Sequence, residues 1–309
     1  MGTDLRTVVG LGEGLWDVLP QGKQLGGAPT NFAYMSGLLG HRAIVASAIG
    51  ADALGEELLA RLSELNLDTA FVQVSRQHPT GTVNVVLDRD GQPNYEIEGN
   101  VAWDFLAWTS EWQHLATRAD VICFGTLAQR WIVSRETIQA FLRASRPAAV
   151  RIFDVNLRQG FFSVDVLAES LRLANVAKLN QTELPAVMQL LGLAANDVNN
   201  ARDANDESTS AECLRCAFGL DLVCVTRGAH GSLLVRDGES DEHPGFSVRV
   251  LDSVGAGDAF TAALAHHILC GSSLRVMNQT ANRMGAWVAS QSGGTPRADA
   301  DVLAEIVSP

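Results

Sequence analysis

The stretch Asp252-Ser253-Val254-Gly255-Ala256-Gly257-Asp258-Ala259-Phe260 is the most informative part of this sequence, and the Ala-rich segment 261–269 follows it directly. Segment 261–269 is predicted to be helical because alanine and leucine are strong helix formers. The small residues before it would let the backbone approach a ligand closely. The free N–H groups of the first helical turn would then point at that ligand, and the helix dipole favours an anion there.

An anion site of this kind suits the charge that spreads over a phosphoryl group during transfer. Asp258 would lie at the same helix start, where a carboxylate can accept the proton of an attacking hydroxyl, a contribution of roughly 10²–10⁴-fold. The alternative interpretation is a Gly-rich turn in which Asp258 is an ordinary acidic residue at a helix N-terminus. The motif alone is compatible with both.

Short apolar runs recur along the chain between segments with helical periodicity, and most of them end in Gly, Asp, Asn or Thr. This alternation predicts an α/β fold with a doubly wound, mostly parallel sheet flanked by helices, whose ligands bind beyond the carboxyl ends of the strands. The predicted strands are 7–12, 43–49, 83–88, 120–124, 150–155, 176–179, 222–226 and 232–236, and the predicted helices include 30–39, 54–65, 135–144 and 166–174.

Two segments interrupt the alternation. Residues 13–25, and residues 80–104 with a turn at Asp88–Gly91, are typical of short antiparallel strands. Strands that leave a doubly wound sheet can form a small β-sheet lid over the site, which is useful where water must be excluded. Segment 196–210 is rich in Asn, Asp and Ser and is predicted to be a solvated surface loop. The whole chain, 1–309, is therefore predicted to be a single domain with a small lid.

Composition excludes several classes of function. The 309 residues carry a formal net charge of −12, and nucleic-acid binders usually have a basic face. No apolar run approaches the roughly 18 residues that a membrane span needs, and the N-terminus does not resemble a secretory signal. We expect a cytoplasmic protein with reduced thiols. Cys213-x-x-Cys216 lacks a second pair at metal-ligand spacing and is predicted to be part of an amphipathic helix.

Rival enzyme classes can be compared by motif. A nicotinamide-dependent dehydrogenase needs Gly-x-Gly-x-x-Gly after its first strand, but residues 10–15 place Leu15 where the last glycine belongs. A P-loop kinase needs Gly-Lys-Ser/Thr, which this sequence does not contain. A catalytically inactive sugar-binding regulator would keep a pocket and lose its base, whereas Asp258 is present.

From Asp252 to Leu264 the sequence resembles the carboxyl-terminal signature of the PfkB, ribokinase-like carbohydrate kinases, with Ser253 where threonine is common. In that family the residue matching Asp258 is the catalytic base, and the residues matching Gly255, Ala256 and Gly257 form the anion hole. The resemblance covers essentially the whole chain in order. It implies a ribokinase-like fold and transfer of phosphate from ATP to a sugar.

Two N-terminal segments resemble the sugar side of these kinases. Segment 26–33 resembles the di-glycine sugar-binding segment, in which Gly26 and Gly27 flex as the lid closes and Asn31 binds a sugar hydroxyl. Segment 12–17 resembles the opening strand, and Asp17 would accept hydrogen bonds from two adjacent sugar hydroxyls. The plainer interpretations are a helix N-terminus at Pro29 and a solvated acid at Asp17.

The phosphate side of the family is matched in the middle of the chain. Arg158 follows a predicted strand and would lie near phosphate. Its planar guanidinium group can donate two parallel hydrogen bonds to phosphate oxygens. The segment Lys178-Leu179-Asn180-Gln181-Thr182-Glu183 resembles the N-x-x-E element. By resemblance, Lys178 and Asn180 help hold the nucleotide, while Asn180 and Glu183 hold Mg²⁺ largely through water. On spacing alone Asn-x-x-Glu is also a helix capping box.

Later residues resemble the nucleotide side. Thr226, Gly228 and Gly231 belong to a turn between two strands that would leave room for ATP, and Asn282 and Gly285 in a late helix would line the adenine pocket. His230, in the same turn, is predicted to be a solvated histidine. The cofactors implied by the resemblance are ATP and Mg²⁺, with a monovalent cation such as K⁺ as a further candidate.

Segments 95–104 and 124–130 are most similar to bacterial fructokinases, with Glu98 and Gln129 as further substrate-binding candidates. Their mix of aromatic and polar residues suits the hydroxyl rim and C–H faces of a sugar. Fructose is the predicted acceptor; ribose, 2-keto-3-deoxygluconate and a nucleoside are the alternatives. Related sugar kinases often pair through their lids, which makes a homodimer a hypothesis.

Overall fold

The computed structural model describes residues 5–19, 22–87, 93–193 and 207–307. The predicted turn at 88–91 lies outside these ranges, and so do residues 196–206 of the predicted loop. The remaining residues of that loop, 207–210, belong to a helix, because Glu207–Phe218 is helical.

A nine-stranded sheet forms the centre of the fold. Its strands in chain order are β1 (Thr7–Leu11), β4 (Arg42–Gly50), β5 (Val72–Ser75), β8 (Val121–Phe124), β9 (Val150–Asp154), β10 (Val176–Asn180), β11 (Leu222–Thr226), β12 (Ser232–Arg236) and β13 (Glu239–His243). The spatial order is β13-β12-β11-β10-β9-β8-β1-β4-β5. The strands from β11 to β5 pair in parallel, whereas β12 and β13 are antiparallel. The predicted doubly wound sheet is confirmed.

Ten α-helices connect or cover these strands in the described ranges. They are α1 (Ala28–Leu38), α2 (Ala53–Glu64), α3 (Ser110–Ala116), α4 (Ile132–Ala144), α5 (Val164–Leu173), α6 (Glu183–Leu190), α7 (Glu207–Phe218), α8 (Ala256–Leu269), α9 (Leu274–Ala289) and α10 (Ala300–Val307). Among the described residues, none of the helices combines the length and the apolar character needed to cross a membrane.

Alternation along the buried strands divides the core into two layers. Val8 packs into the layer with α1, α2, α8, α9 and α10, while its neighbour Val9 packs into the layer with α3 to α7. Successive side chains of a strand point to opposite faces, so one apolar run supplies both layers. The result is a three-layer α/β/α arrangement.

A separate four-stranded sheet is formed by the strands β2 (Leu15–Leu19), β3 (Gly22–Gly26), β6 (Gly81–Leu87) and β7 (Pro93–Ile97), in the order β3-β2-β6-β7. We call it the small sheet. Both predicted segments contribute to it, but the expected all-antiparallel pairing is wrong, since β2 and β6 run parallel. The chain passes through α1, β4, α2 and β5 between them, and such a long crossover permits parallel pairing.

Candidate active site

The parallel strands of the large sheet have their carboxyl ends at one edge, and most of the predicted site residues lie at or just beyond this edge. Asp154 ends β9, Asn180 ends β10 and Thr226 ends β11, with Asn180 and Thr226 in register with each other. Glu13 follows β1 and Arg158 follows β9. Loops at the carboxyl ends of parallel strands are where α/β folds place ligands.

The start of α8 is built from closely packed backbone. Gly255 precedes the helix with a φ of 77°, in the left-handed region that favours glycine. A Cβ atom at Gly255 would lie 2.6 Å from the Cα of Gly294, and a Cβ at Gly257 would lie 3.1 Å from the Nζ of Lys178. A side chain at Gly255 would therefore displace the backbone of Gly294, and one at Gly257 would press on the ammonium of Lys178. The N–H of Ala256 donates to the backbone oxygen of Ser253 at 3.3 Å, whereas the N–H of Gly257, one residue further into the first turn, can face an anion.

Asp258 lies in the first turn of α8, and Asn31 Nδ2 donates a 2.8 Å hydrogen bond to its Oδ2 atom. Burial raises the pKa of Asp258 to about 6, and the negative charge of Asp154 adds to the rise. The hydrogen bond from Asn31 and the positive charges of Lys178 and Arg158 lower that pKa in part. Asp258 is therefore a carboxylate at neutral pH that can still take up a proton near pH 6.

Asp17 and the two glycines meet where the small sheet joins the large one. A Cβ on Gly26 would lie 2.3 Å from Asp17 Oδ2, and a Cβ on Gly27 would lie 2.4 Å from the backbone oxygen of Glu13. Gly27 has a φ of 99° and precedes α1. Burial raises the pKa of Asp17 to about 6, opposed by the charge of Arg158. The chain crossings into and out of the small sheet are thus packed too tightly for side chains.

Arg158 is exposed, and its positive charge lowers the pKa values of three acids: Glu13, Asp17 and Asp258. A cation that acts on three carboxyls from separate parts of the chain must lie near all of them. The structure therefore places Arg158 near Glu13, Asp17 and Asp258.

Glu13 is a site residue that the sequence interpretation missed. Its side chain is buried, with 3% of the residue exposed, and its Oε2 atom has no hydrogen-bond partner. Burial raises the pKa of Glu13 to about 7, and the charge of Asp258 contributes to the rise. The available signal was an acidic residue between two glycines directly after a strand of apolar residues.

Asp154 and Lys178 form a buried ion pair under the start of α8, and a role for Asp154 was also missed. Lys178 Nζ lies 3.0 Å from Asp154 Oδ1, and the two residues are in register on neighbouring strands. Although burial opposes the charge of Lys178, the carboxylate of Asp154 holds its pKa above the usual range. Lys178 is thus brought to the site, with its ammonium beneath Gly257.

Asn180 and Glu183 form the capping box that their spacing permits. Glu183 Oε2 accepts from the backbone N–H of Asn180 at 2.8 Å, and Glu183 Oε1 accepts from the N–H of Leu157 at 2.8 Å. Asn180 Oδ1 accepts from Thr182 and from the N–H of Glu183. These contacts fix the loop after β9 to the start of α6.

This arrangement limits how a metal could bind. In the described ranges, no three His, Cys, Asp or Glu side chains gather in a way that could hold a metal ion. Glu183 and Asn180 still offer hard oxygen atoms with spare lone pairs, but each already accepts backbone N–H groups. The donor set fits Mg²⁺ held mainly by water and phosphate oxygens, which is the usual form of magnesium binding.

The residues predicted to lie near the nucleotide come from two places. Thr226, Gly228 and Gly231 lie at the end of β11 and in the turn after it, and Asn282 and Gly285 belong to α9. Thr226, Gly228 and His230 lie at or near the carboxyl edge of β11, where a Cβ on Gly228 would meet open space and His230 is exposed, as predicted. Gly231 is packed instead, because a Cβ there would lie 1.8 Å from the backbone oxygen of His243.

Asn282 and Gly285 serve helix packing. Asn282 Nδ2 donates to Ser232 Oγ at 2.7 Å and to Asn278 at 2.8 Å, and the residue is 7% exposed. A Cβ on Gly285 would lie 3.1 Å from the backbone oxygen of Ala256, at the start of α8. The structure therefore places both against neighbouring elements rather than in an open cleft.

The two other predicted substrate contacts, Gln129 and Glu98, have hydrogen-bond partners other than Glu13, Asp17 and Asp258. Gln129 is 1% exposed, and its Nε2 atom donates to the backbone oxygen of Gly125 and to Ser170 Oγ. Glu98 is exposed after β7 and accepts a 3.1 Å hydrogen bond from Asn84. The structure joins Asn31 to Asp258 and places Arg158 within electrostatic reach of Asp17 and Asp258, whereas the side chain of Gln129 bonds to Gly125 and Ser170 instead.

Comparison with known proteins identifies the family of this chain. The model of the pfkB family carbohydrate kinases matches residues 13–300. The chain belongs to this family. As a pfkB carbohydrate kinase, it is an ATP-dependent sugar kinase.

Two relatives and one solved structure illustrate the similarity. An uncharacterized sugar kinase of Pyrococcus horikoshii is 29% identical over 287 residues, which is 90% of this chain and 85% of that protein. A fructokinase of Escherichia coli is 27% identical over 268 residues, covering 82% and 81% of the two chains. The structure of a Xylella fastidiosa fructokinase with bound ATP, 22% identical, superimposes with a TM-score of 0.82 over 97% of this chain and 98% of that one. That last likeness supports the fold.

Proposed function

We propose that this pfkB kinase is a fructokinase, which transfers the γ-phosphoryl group of ATP to a primary hydroxyl of fructose. One observation carries the proposal: Asn31 Nδ2 donates a 2.8 Å hydrogen bond to Asp258 Oδ2. This contact joins the element predicted to bind the sugar to the element predicted to bind the phosphoryl group. A sugar hydroxyl bound beside Asn31 would therefore lie next to the carboxylate.

In the proposed reaction, Asp258 accepts the proton of the sugar hydroxyl as its oxygen attacks the γ-phosphorus. The bond from that phosphorus to the β–γ bridging oxygen breaks, and ADP leaves with the electron pair. The proposed anion hole at Gly255, Ala256 and Gly257 stabilises charge on the transferring group, and Arg158 supplies a cation nearby. Mg²⁺, when bound through water to Glu183 and Asn180, would neutralise phosphate charge.

The negative charge around the proposed sugar-binding residues favours a neutral sugar over a sugar acid as the substrate. Glu13, Asp17 and Asp258 share this end of the cleft with Arg158. A carboxylate-bearing acceptor such as 2-keto-3-deoxygluconate would add another negative charge beside these acids, which costs binding energy. Fructose, ribose and nucleosides carry no such charge. Similarity to a fructokinase supports fructose among them.

The deciding experiment measures phosphorylation by the purified chain with MgATP and a panel of fructose, ribose, glucose, 2-keto-3-deoxygluconate and adenosine. The expected result is highest kcat/KM with fructose, and a loss of about 10²-fold or more in kcat for Asp258→Asn. Asp165→Asn is the matched control, because Asp165 is an exposed acid in the first turn of α5, outside the site. Preference for another acceptor would replace the substrate, and an active Asp258→Asn enzyme would overturn the base assignment.

The small sheet is proposed to act as a lid on a single-domain enzyme. Its strands join the rest of the fold through Glu13, between β1 and β2, and through Gly27, between β3 and α1, and these two residues are in close backbone contact. Closure over bound sugar would exclude water and so limit hydrolysis of ATP. The same sheet is the proposed surface of a homodimer, and Val18 on β2 is 36% exposed. A sedimentation mass of one chain at micromolar concentration would contradict the dimer.

A further inference from the structure

We infer that Asp154 is a positioning residue of the phosphoryl-transfer site, which it serves by fixing Lys178 and Thr261 beneath the first turn of α8. This inference rests on the proposed function, because it concerns the same site. Lys178 and Thr261 occupy the two carboxylate oxygens of Asp154, so it would act through these neighbours rather than through contact with the sugar or the nucleotide.

The two carboxylate oxygens of Asp154 have separate partners. Oδ1 accepts from Lys178 Nζ at 3.0 Å, and Oδ2 accepts from Thr261 Oγ1 at 3.1 Å. Thr261 Oγ1 also lies 2.9 Å from the backbone oxygen of Gly257, one turn earlier in α8. Asp154 therefore connects the end of β9 with β10 and with the helix turn that carries Gly257 and Asp258.

The position of Lys178 explains why this connection matters. Its Nζ atom would be 3.1 Å from a Cβ at Gly257, so the ammonium lies directly behind the turn whose N–H groups face an anion. Among the described residues, Asp154 is the carboxylate in ion-pair contact with Lys178. Without it, a buried ammonium would lose its partner and would be expected to move, because an unpaired buried charge is strongly unfavourable.

Asp154 also acts on Asp258 through charge. Its negative charge raises the pKa of Asp258, while the ammonium of Lys178 lowers it. The loss of Asp154 should therefore make Asp258 more acidic. The other groups that face or act on Asp258 come from every neighbouring element: Asn31 of α1, Glu13 after β1, Cys123 of β8 and Arg158 after β9.

A purely structural role for the pair would have different consequences. A buried ion pair that only stabilises the fold would change the free energy of unfolding and leave the kcat of the folded protein unaltered in both Asp154→Asn and Thr261→Val. Asp120 provides the matched control for that role. It is a buried acid just before β8, at the opposite edge of the sheet, and it pairs with Arg6 and Arg146.

The test compares Asp154→Asn, Thr261→Val and Asp120→Asn by two measurements. For Asp154→Asn we expect kcat to fall about tenfold to hundredfold, as misplaced catalytic groups do, with KM for the sugar changed less than threefold. The acid limb of its pH profile should move to lower pH. Thr261→Val keeps the charges, so its kcat should fall while its acid limb stays in place. Asp120→Asn should lose stability only.

The second measurement does not need turnover. Carboxyl-¹³C aspartate NMR of the unliganded protein follows Asp258 directly, with its resonance assigned by its absence in Asp258→Asn. A lower Asp258 pKa in Asp154→Asn supports the inference even if no sugar on the panel is phosphorylated, which separates it from the proposed function. An unchanged Asp258 titration together with unchanged kcat in Thr261→Val would overturn it. If Asp154→Asn does not fold, an unchanged kcat in Thr261→Val alone does so.

Discussion

Asn31 and Asp258 are 227 positions apart in the chain, and Asn31 Nδ2 lies 2.8 Å from Asp258 Oδ2. Asn31 is in the first turn of α1 and Asp258 is in the first turn of α8, so two helix N-termini meet at this hydrogen bond. Asn31 Oδ1 has no partner and remains an acceptor for a hydroxyl. The pair therefore couples the placement of the acceptor sugar to the protonation of the proposed base.

Asn31→Ala should lower kcat/KM for the sugar by about 10- to 100-fold, the value of a hydrogen bond to a charged group. The hydrogen bond from Asn31 lowers the pKa of Asp258, so its removal should move the acid limb of activity to higher pH. Steady-state kinetics between pH 5 and 8 measures both effects. Asn175→Ala is the control, because Asn175 accepts from the N–H of Arg151 at the other edge of the sheet. An unshifted acid limb in Asn31→Ala would contradict the coupling.

Gly255→Ala should cost both stability and activity, whereas Gly271→Ala should cost stability alone. Both glycines have positive φ, 77° and 66°, so alanine at either position adds about 1–2 kcal/mol of backbone strain. Only Gly255 faces backbone, with the Cα of Gly294 at 2.6 Å from its Cβ position; Gly271 has nothing within 4 Å. We expect kcat to fall more than tenfold in Gly255→Ala. Urea unfolding and initial rates compare the two, and equal rates would refute the close-packing argument.

Glu13→Gln should change how stability depends on pH. The folded pKa of Glu13 is raised to about 7, so its contribution is fully present below its unfolded value near 4.5 and is lost as pH rises through 7. Relative to Glu13→Gln, the parent should lose up to about 3 kcal/mol of unfolding free energy between pH 4.5 and 7.5. Urea unfolding at several pH values measures this difference. The exposed acid Glu56 provides the control, and a Glu56→Gln protein should track the parent.

His41 and His266 should destabilise the fold in acid. His41 Nε2 lies 3.0 Å from His266 Nδ1, and burial together with the charge of His266 lowers the pKa of His41 to about 4. The unfolded chain therefore binds more protons than the folded one between about pH 6.5 and 4, and unfolding free energy falls as pH falls. His41→Gln should reduce this fall by about 2 kcal/mol. The exposed His114 gives the control, His114→Gln; equal acid sensitivity in all three proteins would count against the pair.

The order of strands and helices could be predicted from the sequence, because each element has a local pattern of apolar and small residues. The runs 222–226 and 232–236 coincide with β11 and β12, and the small-residue stretch at 255–257 does stand at the beginning of a helix. The hydrophobic pattern did not predict β13, Glu239–His243, because this polar strand at the edge of the sheet has no alternating apolar residues. Hydrophobic spacing and helix start signals are properties of neighbouring residues, so they can be read without the fold.

Tertiary structure alone decided which polar residues share the site. The residues around Glu13 and Asp154 in the sequence do not show that Glu13 is buried with one carboxylate oxygen unpaired, or that Asp154 holds Lys178 beneath Gly257. The sequence likewise left two interpretations of Asn-x-x-Glu. In the structure Glu183 also accepts from the N–H of Leu157, 26 residues away, and so connects the loop after β9 to the start of α6. Burial and charge proximity arise from residues distant in the chain, and they set pKa values and hydrogen bonding that no local pattern contains.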